Sequence, residues 1–294
     1  MRNCNLNFKW VLILLVISQF ACQKNTPDNT FIDQDKQVLT KQFNKVCFLM
    51  THNAMNSTEK GFIIPNQTHS VTHQLENGVR GLMLDTYDGS DGIALTYHVT
   101  SSWGSGKLVD VMQEIKDFLH SHTNAVISII FQNEGSNVQL EKAIDSIGLD
   151  KMAFIYTGGF WPTIQTMADS NKRLVCFVEF NKLPRADYLM HAWSKIFDTP
   201  YSFKNVSDFN CTVNRGGSGS KDLYLVNHWL EKEILPGINV PDLTLAPQAN
   251  IRSVISHRVQ ECTAVNNHFI NFLGVDFYEI GDAKAVVDSI NGIK

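Results

Sequence analysis

From about residue 45 onward, short apolar runs of strand length alternate with segments of helical periodicity. That alternation restricts the chain to parallel strands joined by crossover helices. The strand-like runs are 46–51, 81–87, 93–98, 125–132, 152–156, 173–180, 222–229 and 272–278. Between them Leu108, Val111, Met112, Ile115 and Leu119 recur at helical spacing, as do Ile251, Val254, Ile255, Arg258 and Val259. No linker, internal repeat or change of composition divides the region. At 294 residues with 44% hydrophobic side chains, the chain suits one large domain. The expected fold is α/β, a single (β/α) TIM-type barrel over 44–294, distorted or incompletely closed.

In such barrels chemistry sits at the C-terminal ends of the strands. The polar residues collected there are His52 and Asn53, Asp85 and Tyr87, His98, Gln132 and Glu134, Glu179, His228 and Asp276. Strand alternation places Met83, Asp85 and Tyr87 on one face. It does the same for Ser128, Ile130, Gln132 and Glu134, and for Gly274, Asp276 and Tyr278. Arg80 has the opposite parity to Asp85 and is expected to face away. An imidazole titrates near neutrality, so two histidines at one mouth can take and give a proton in one turnover.

The N-terminus reads as a targeting segment. Arg2 and Lys9 precede an apolar stretch too short for a spanning helix, and Phe20-Ala21-Cys22 closes it. Residues 1–22 are therefore read as a signal peptide of lipoprotein type with Cys22 acylated, simple cleavage being the alternative, and 23–43 as tether and lead-in. Export permits disulfides. Cys47 and Cys176 lie in apolar runs and read as buried hydrophobes, whereas Cys211 and Cys262 are the better candidates to pair. Residues 215–221, rich in Gly and Ser, read as a mobile surface loop. A formal charge of −4 with no run of like charges argues against nucleic acid as a partner. No sequence feature implies a protein partner.

The run Gly78-Val79-Arg80-Gly81-Leu82-Met83-Leu84-Asp85-Thr86-Tyr87-Asp88, with Thr51-His52-Asn53 before it and His98 after, resembles the phosphatidylinositol-specific phospholipase C X-domain superfamily. The likeness is strongest to its exported, phospholipase C-like phosphodiesterases and extends through Asn271 to Tyr278, covering about 44–292. It implies that His52 is the general base removing the proton of the inositol 2-hydroxyl. His98 is then the acid protonating the departing glyceride oxygen, and Asp276 the carboxylate that orients His52.

Calcium-dependent members hold the ion with an asparagine and three carboxylates. Asn53 and Asp85 match two of these, but Met83 and Gln132 stand where acidic ligands are expected, and neither a thioether nor an amide suits a hard cation as a carboxylate does. Glu134 is the carboxylate that could restore the set, so a calcium site of Asn53, Asp85 and Glu134 is one expectation. The alternative for Asp85 is that it orients a neighbouring histidine. Substrate contacts fall to Gln132, Glu179, His228 and Tyr278, although His228 also reads as a core histidine. Glu179 argues against head groups bearing extra phosphates.

The expected function is an exported phosphodiesterase acting on phosphatidylinositol or a related glycolipid through a cyclic phosphate, held at a membrane by its lipid anchor. Glycerophosphodiester hydrolysis on a similar barrel needs an early His-Arg-Gly and a Glu-Asn-Thr, both missing here. The non-enzymatic alternative is a surface lipoprotein that binds an inositol or sugar phosphate without turnover.

Overall fold

The computed structural model describes residues 34–217 and 221–293, which lie in one compact unit, Asp33–Lys294. The signal peptide, Cys22 and most of the tether fall outside the described residues. The strands are β1 (Phe48–Thr51), β2 (Gly81–Thr86), β3 (Leu95–Thr96), β4 (Gly106–Lys107), β5 (Ile127–Asn133), β6 (Leu174–Val178), β7 (Leu189–His191), β8 (Ile196–Asp198), β9 (Leu223–Asn227), β10 (Glu231–Leu235), β11 (Ile238–Pro241) and β12 (Phe272–Val275). Eight of them form one sheet in the order β7-β6-β5-β2-β1-β12-β9-β8, with every neighbouring pair parallel. The sheet curls into a barrel that is not closed, because no ladder joins β7 to β8. One four-residue helix, Ala192–Lys195, carries the chain from one edge strand to the other.

Alternation along the strands divides the apolar side chains into two cores. Leu49, Leu82, Leu84, Ile129, Phe131, Cys176 and Val226 point outward against Leu108–Ser121 and the other crossover helices. Phe48, Met50, Ile130, Val175, Phe177, Leu225 and Phe272 fill the barrel interior, with Met83 partly buried against them. Beside Phe48, Phe43 stacks on Trp161 at 4.9 Å, so aromatic rings pack the end opposite the C-terminal exits. Arg80 faces away from the mouth as its parity requires. Its guanidinium forms a two-pronged bridge to Asp35 (2.9 and 2.7 Å) and donates to the carbonyls of Leu75 and Val79. The expected lead-in is thus packed on the barrel from at least Asp35, and Phe43 is fully buried.

Two expected strands are corrected. The 93–98 run supplies only β3, which pairs antiparallel with β4 and bridges Tyr87 beyond the end of β2. Both edges of β2 are already taken by β1 and β5, so this run has no place inside the sheet. Residues 152–156 make one bridge, Ala153 to Leu174, after a 3-10 turn. Their places in the barrel go to β7 and β8. Cys211 and Cys262 form a disulfide with Cα atoms 4.9 Å apart, tying the 209–215 loop to helix Arg252–Asn266. Cys47 and Cys176 are unbridged and buried, and burial pushes both thiols far up.

Candidate active site

The site begins with register. β1 and β12 run parallel with Thr51 opposite Val275, so the next residues, His52 and Asp276, emerge side by side. The His52 amide continues the ladder to the Val275 carbonyl (3.0 Å). His52 Nδ1 lies 3.0 Å from Asp276 Oδ1, which also accepts from Asn66 Nδ2 at 3.1 Å. With Nδ1–H donating to the carboxylate, the Nε2 lone pair faces the mouth and accepts a hydrogen bond from Asn53 Nδ2 at 3.1 Å. The imidazole stacks on Trp229, with centroids 3.9 Å apart and planes inclined by 12°. Gly274 leaves room for that stack, since a Cβ there would sit 3.3 Å from the Trp229 ring and 3.1 Å from Met83.

His98 reaches the same mouth from outside the sheet. β3 is held by the Tyr87–Leu95 bridge and by Thr96 Oγ1 on the Asp85 carbonyl (2.7 Å). The His98 and His52 rings then stand 6.3 Å apart between centroids, at 71° to one another. Asn56 spans the gap behind them, donating to Asn66 Oδ1 at 2.6 Å and making a long 3.5 Å contact to His98 Nδ1.

The environment separates the two imidazoles. Burial opposes charge on His52, but the Asp276 carboxylate and its hydrogen bond, helped by Glu231 and Asp85, hold its pKa above the usual histidine value. Burial and the neighbouring His52 push His98 down to about 4. Asp85, only 5% exposed, is pushed up to about 7, by burial first and then by Glu179 and Glu134, against the pull of His52.

Two of the expected calcium ligands have side-chain partners of their own. Glu134 is exposed and accepts from Gln132 Nε2 at 3.2 Å, at the rim. Asn53 is engaged with His52, and Met83 packs into the barrel. Among the described residues no three His, Cys, Asp or Glu ligand atoms at this mouth lie within 4.8 Å of one another. In this arrangement the Asn53 amide is turned to His52 Nε2 and the Glu134 carboxylate to Gln132.

Two substrate-contact expectations are also corrected. His228 is fully buried outside the mouth, with Nε2 on the Ala249 carbonyl at 2.8 Å, and burial lowers its pKa to about 3. Tyr278 is turned outward because Phe277 takes φ +47° and breaks strand alternation. Its hydroxyl accepts from Asn77 Nδ2 at 2.8 Å.

Glu179 does face the mouth, yet it is not a bare charge. Arg215 Nη1 donates to it at 3.0 Å, while Nε and Nη2 of the same guanidinium bind Asp198 at 2.9 and 2.6 Å. Arg215 also packs over Trp193 and Tyr201, 4.1 and 4.7 Å from their ring centroids. This fixes the start of the segment expected to be a mobile loop; residues 218–220 lie outside the described residues. Burial nevertheless raises the Glu179 pKa, against the pull of Arg215.

Asn56, Asn66, Trp229 and Arg215 were not singled out from the sequence. Only Trp229 left a signal. Leu225 points inward, so β9 parity places Asn227 and Trp229 on the inner face and His228 on the outer one.

The residues that follow His52, His98 and Asp276, namely Asn53, Val99 and Phe277, all have left-handed φ of +47°, +62° and +47°. Asparagine tolerates this region, whereas a β-branched residue pays for it. Val99 is half exposed, so little packing is at stake. Val99→Asn is expected to stabilise the chain by about 0.5–1 kcal/mol in urea unfolding. A neutral or destabilising result would show that position 99 is unstrained.

Likeness to known proteins gives the family and the fold. The PI-PLC X family model (PI-PLC X 1) matches residues 38–291. The chain belongs to the PI-PLC X family. A PI-PLC X domain-containing protein 1 from Arthroderma benhamiae is 26% identical, over 98% of each chain. A PI-PLC X domain-containing protein from Arabidopsis thaliana, At5g67130, is also 26% identical, over 85% of this chain and 62% of its own length. An uncharacterized secreted protein from Arthroderma benhamiae is 27% identical over 77% of this chain and 55% of its own. Among solved structures, a mutant of phosphatidylinositol-specific phospholipase C from Staphylococcus aureus superposes with a TM-score of 0.58 at 12% identity, over 87% of this chain and 96% of that one. At that identity the likeness speaks for the fold, and it is the PI-PLC barrel.

Proposed function

We propose that this mouth cleaves the phosphodiester of phosphatidylinositol or a related glycolipid by intramolecular attack. His52 Nε2 takes the proton of the sugar 2-hydroxyl as that oxygen bonds to phosphorus. The bond from phosphorus to the glyceride oxygen breaks, and His98 gives that oxygen its proton. The products are a cyclic phosphate and a diglyceride. Asn53 must release His52 Nε2 when substrate enters, and Asp276 stabilises the imidazolium that forms.

The observation that carries this reading is the pair of imidazoles 6.3 Å apart, one backed by a carboxylate and the other not. The test is release of cyclic inositol phosphate from phosphatidylinositol vesicles. We assign no step to a cation, since Asn53 is turned to His52 and Glu134 to Gln132, and a calcium-specific chelator is expected to leave the rate within about twofold, as for chemistry carried by proton transfer. A chelator-sensitive rate would return Asp85 and Glu134 to metal binding.

The competent pair holds one proton. Below pH 4 both rings are charged and no base remains; above the raised pKa of His52 neither is charged and no acid remains. The kcat/KM profile is therefore expected to be a bell with its acid limb near pH 4 and its alkaline limb above 6.5. In the empty site the proton resides on His52. An anionic phosphodiester beside His98 favours its transfer to the acid. An acid limb near neutrality would refute this coupling.

Export is part of the proposal, supported by the signal-like residues 1–22, the secreted relative and a disulfide suited to an oxidising compartment. Acylation at Cys22 would hold the chain at a membrane carrying such lipids. Among the described residues no helix is long and apolar enough to cross a membrane. The engagement of His52 Nε2 by Asn53 favours the second reading, a module that binds an inositol or sugar phosphate without turnover.

A further inference from the structure

Away from the barrel mouth, Glu59, His69 and His73 bring three ligand atoms within 4.8 Å of one another, the one such group among the described residues. We propose that these three side chains form a binding site for a zinc-class divalent cation, which staples the 53–70 loop to helix Val71–Glu76. Two imidazoles and one carboxylate are a borderline donor set that suits zinc and its neighbours, whereas calcium and magnesium seek oxygen alone.

The backbone positions of the three ligands are already fixed. Glu59 N donates to the Thr68 carbonyl at 3.0 Å, Gln74 Nε2 holds the His69 carbonyl at 2.8 Å, and His73 lies on the helix. One carboxylate oxygen, Glu59 Oε2, accepts from the Ser70 amide at 2.7 Å, a contact that orients the group as outer-shell donors orient metal ligands. His73 Nδ1 lies 2.9 Å and His69 Nδ1 3.9 Å from that same oxygen. Ligand atoms around a tetrahedral ion with bonds of about 2.0–2.1 Å stand roughly 3.4 Å apart. The adjustment needed is therefore about an ångström, and all three side chains are more than a third exposed, free to rotate without disturbing the core. Binding exchanges the proton shared by Glu59 and His73 for the cation, and water completes the coordination.

The loop that the cation would fasten carries Asn56 and Asn66, which reach His98 and Asp276, and Gln67, which holds the His52 carbonyl at 2.8 Å. A filled site therefore stiffens the backing of both imidazoles from outside the barrel.

The test is a titration of the untagged full chain with zinc chloride against a chromophoric chelator, with thermal unfolding in parallel. Variants His69→Ala and His73→Ala remove ligands; His257→Ala alters an exposed histidine beside Glu261, a pair that lacks a third ligand. The expected result is one equivalent of zinc per chain, at least tenfold weaker in both ligand variants and unchanged in His257→Ala. Zinc should also raise the unfolding midpoint of the wild type and not of His73→Ala. Absence of saturable binding, binding that survives both ligand variants, or loss in His257→Ala would overturn the proposal.

Discussion

His52→Ala is expected to lower kcat for phosphatidylinositol cleavage by about 10³–10⁴-fold, the upper range for loss of a positioned general base. The variant should remain folded, because β1 and β12 still pair and Trp229 keeps its place beside Gly274. Asp276→Asn keeps the shape of the side chain but permits the wrong imidazole tautomer, and a loss of about 10²–10⁴ is expected. Circular dichroism and release of cyclic inositol phosphate, measured on the same preparations, separate lost chemistry from lost structure. No product from any phosphodiester, with wild type equal to His52→Ala, would end the enzymatic reading and leave the binding module.

Asp198→Ala carries the largest expected cost in stability, about 3 kcal/mol, toward the lower end for breaking a buried ion pair. Asp198 is fully buried and accepts from the Arg215 amide (2.7 Å), two nitrogens of its guanidinium (2.9 and 2.6 Å) and Asn227 Nδ2 (3.0 Å). Alanine strips all four donors at once. Arg215 keeps Glu179 and retains some access to water, which moderates the penalty. Asp198→Asn still offers an oxygen to some of these donors, so about half the loss is expected. Urea unfolding measures both; an alanine variant within about 0.5 kcal/mol of wild type would show that the network does not stabilise the fold.

The expected strands that survived have their outward and inward faces written in their own residues. Leu82, Leu84, Ile129 and Phe131 go out, while Met83, Asp85 and Ile130 go in. The side-by-side exit of His52 and Asp276 follows from two such strands paired in register. β7 and β8 leave no pattern in the sequence because three residues are too few to show a period. The 93–98 run has the right composition for a strand, but composition does not say which sheet edges are already occupied. Asn56, Asn66 and Arg215 act from loops, where polar residues follow no repeat, and their partners lie 42, 210 and 17 positions away. Parity failed at Tyr278 because one left-handed residue, Phe277, reverses everything after it.

A fully laced barrel has its girth set by strand number and stagger. Here β7 and β8 share no inter-strand hydrogen bond, and only a four-residue helix links them. Side chains take over where the ladder stops: Arg215 joins Asp198, the last residue of β8, to Glu179, which follows β6, so a single guanidinium clasps the seam of the wall.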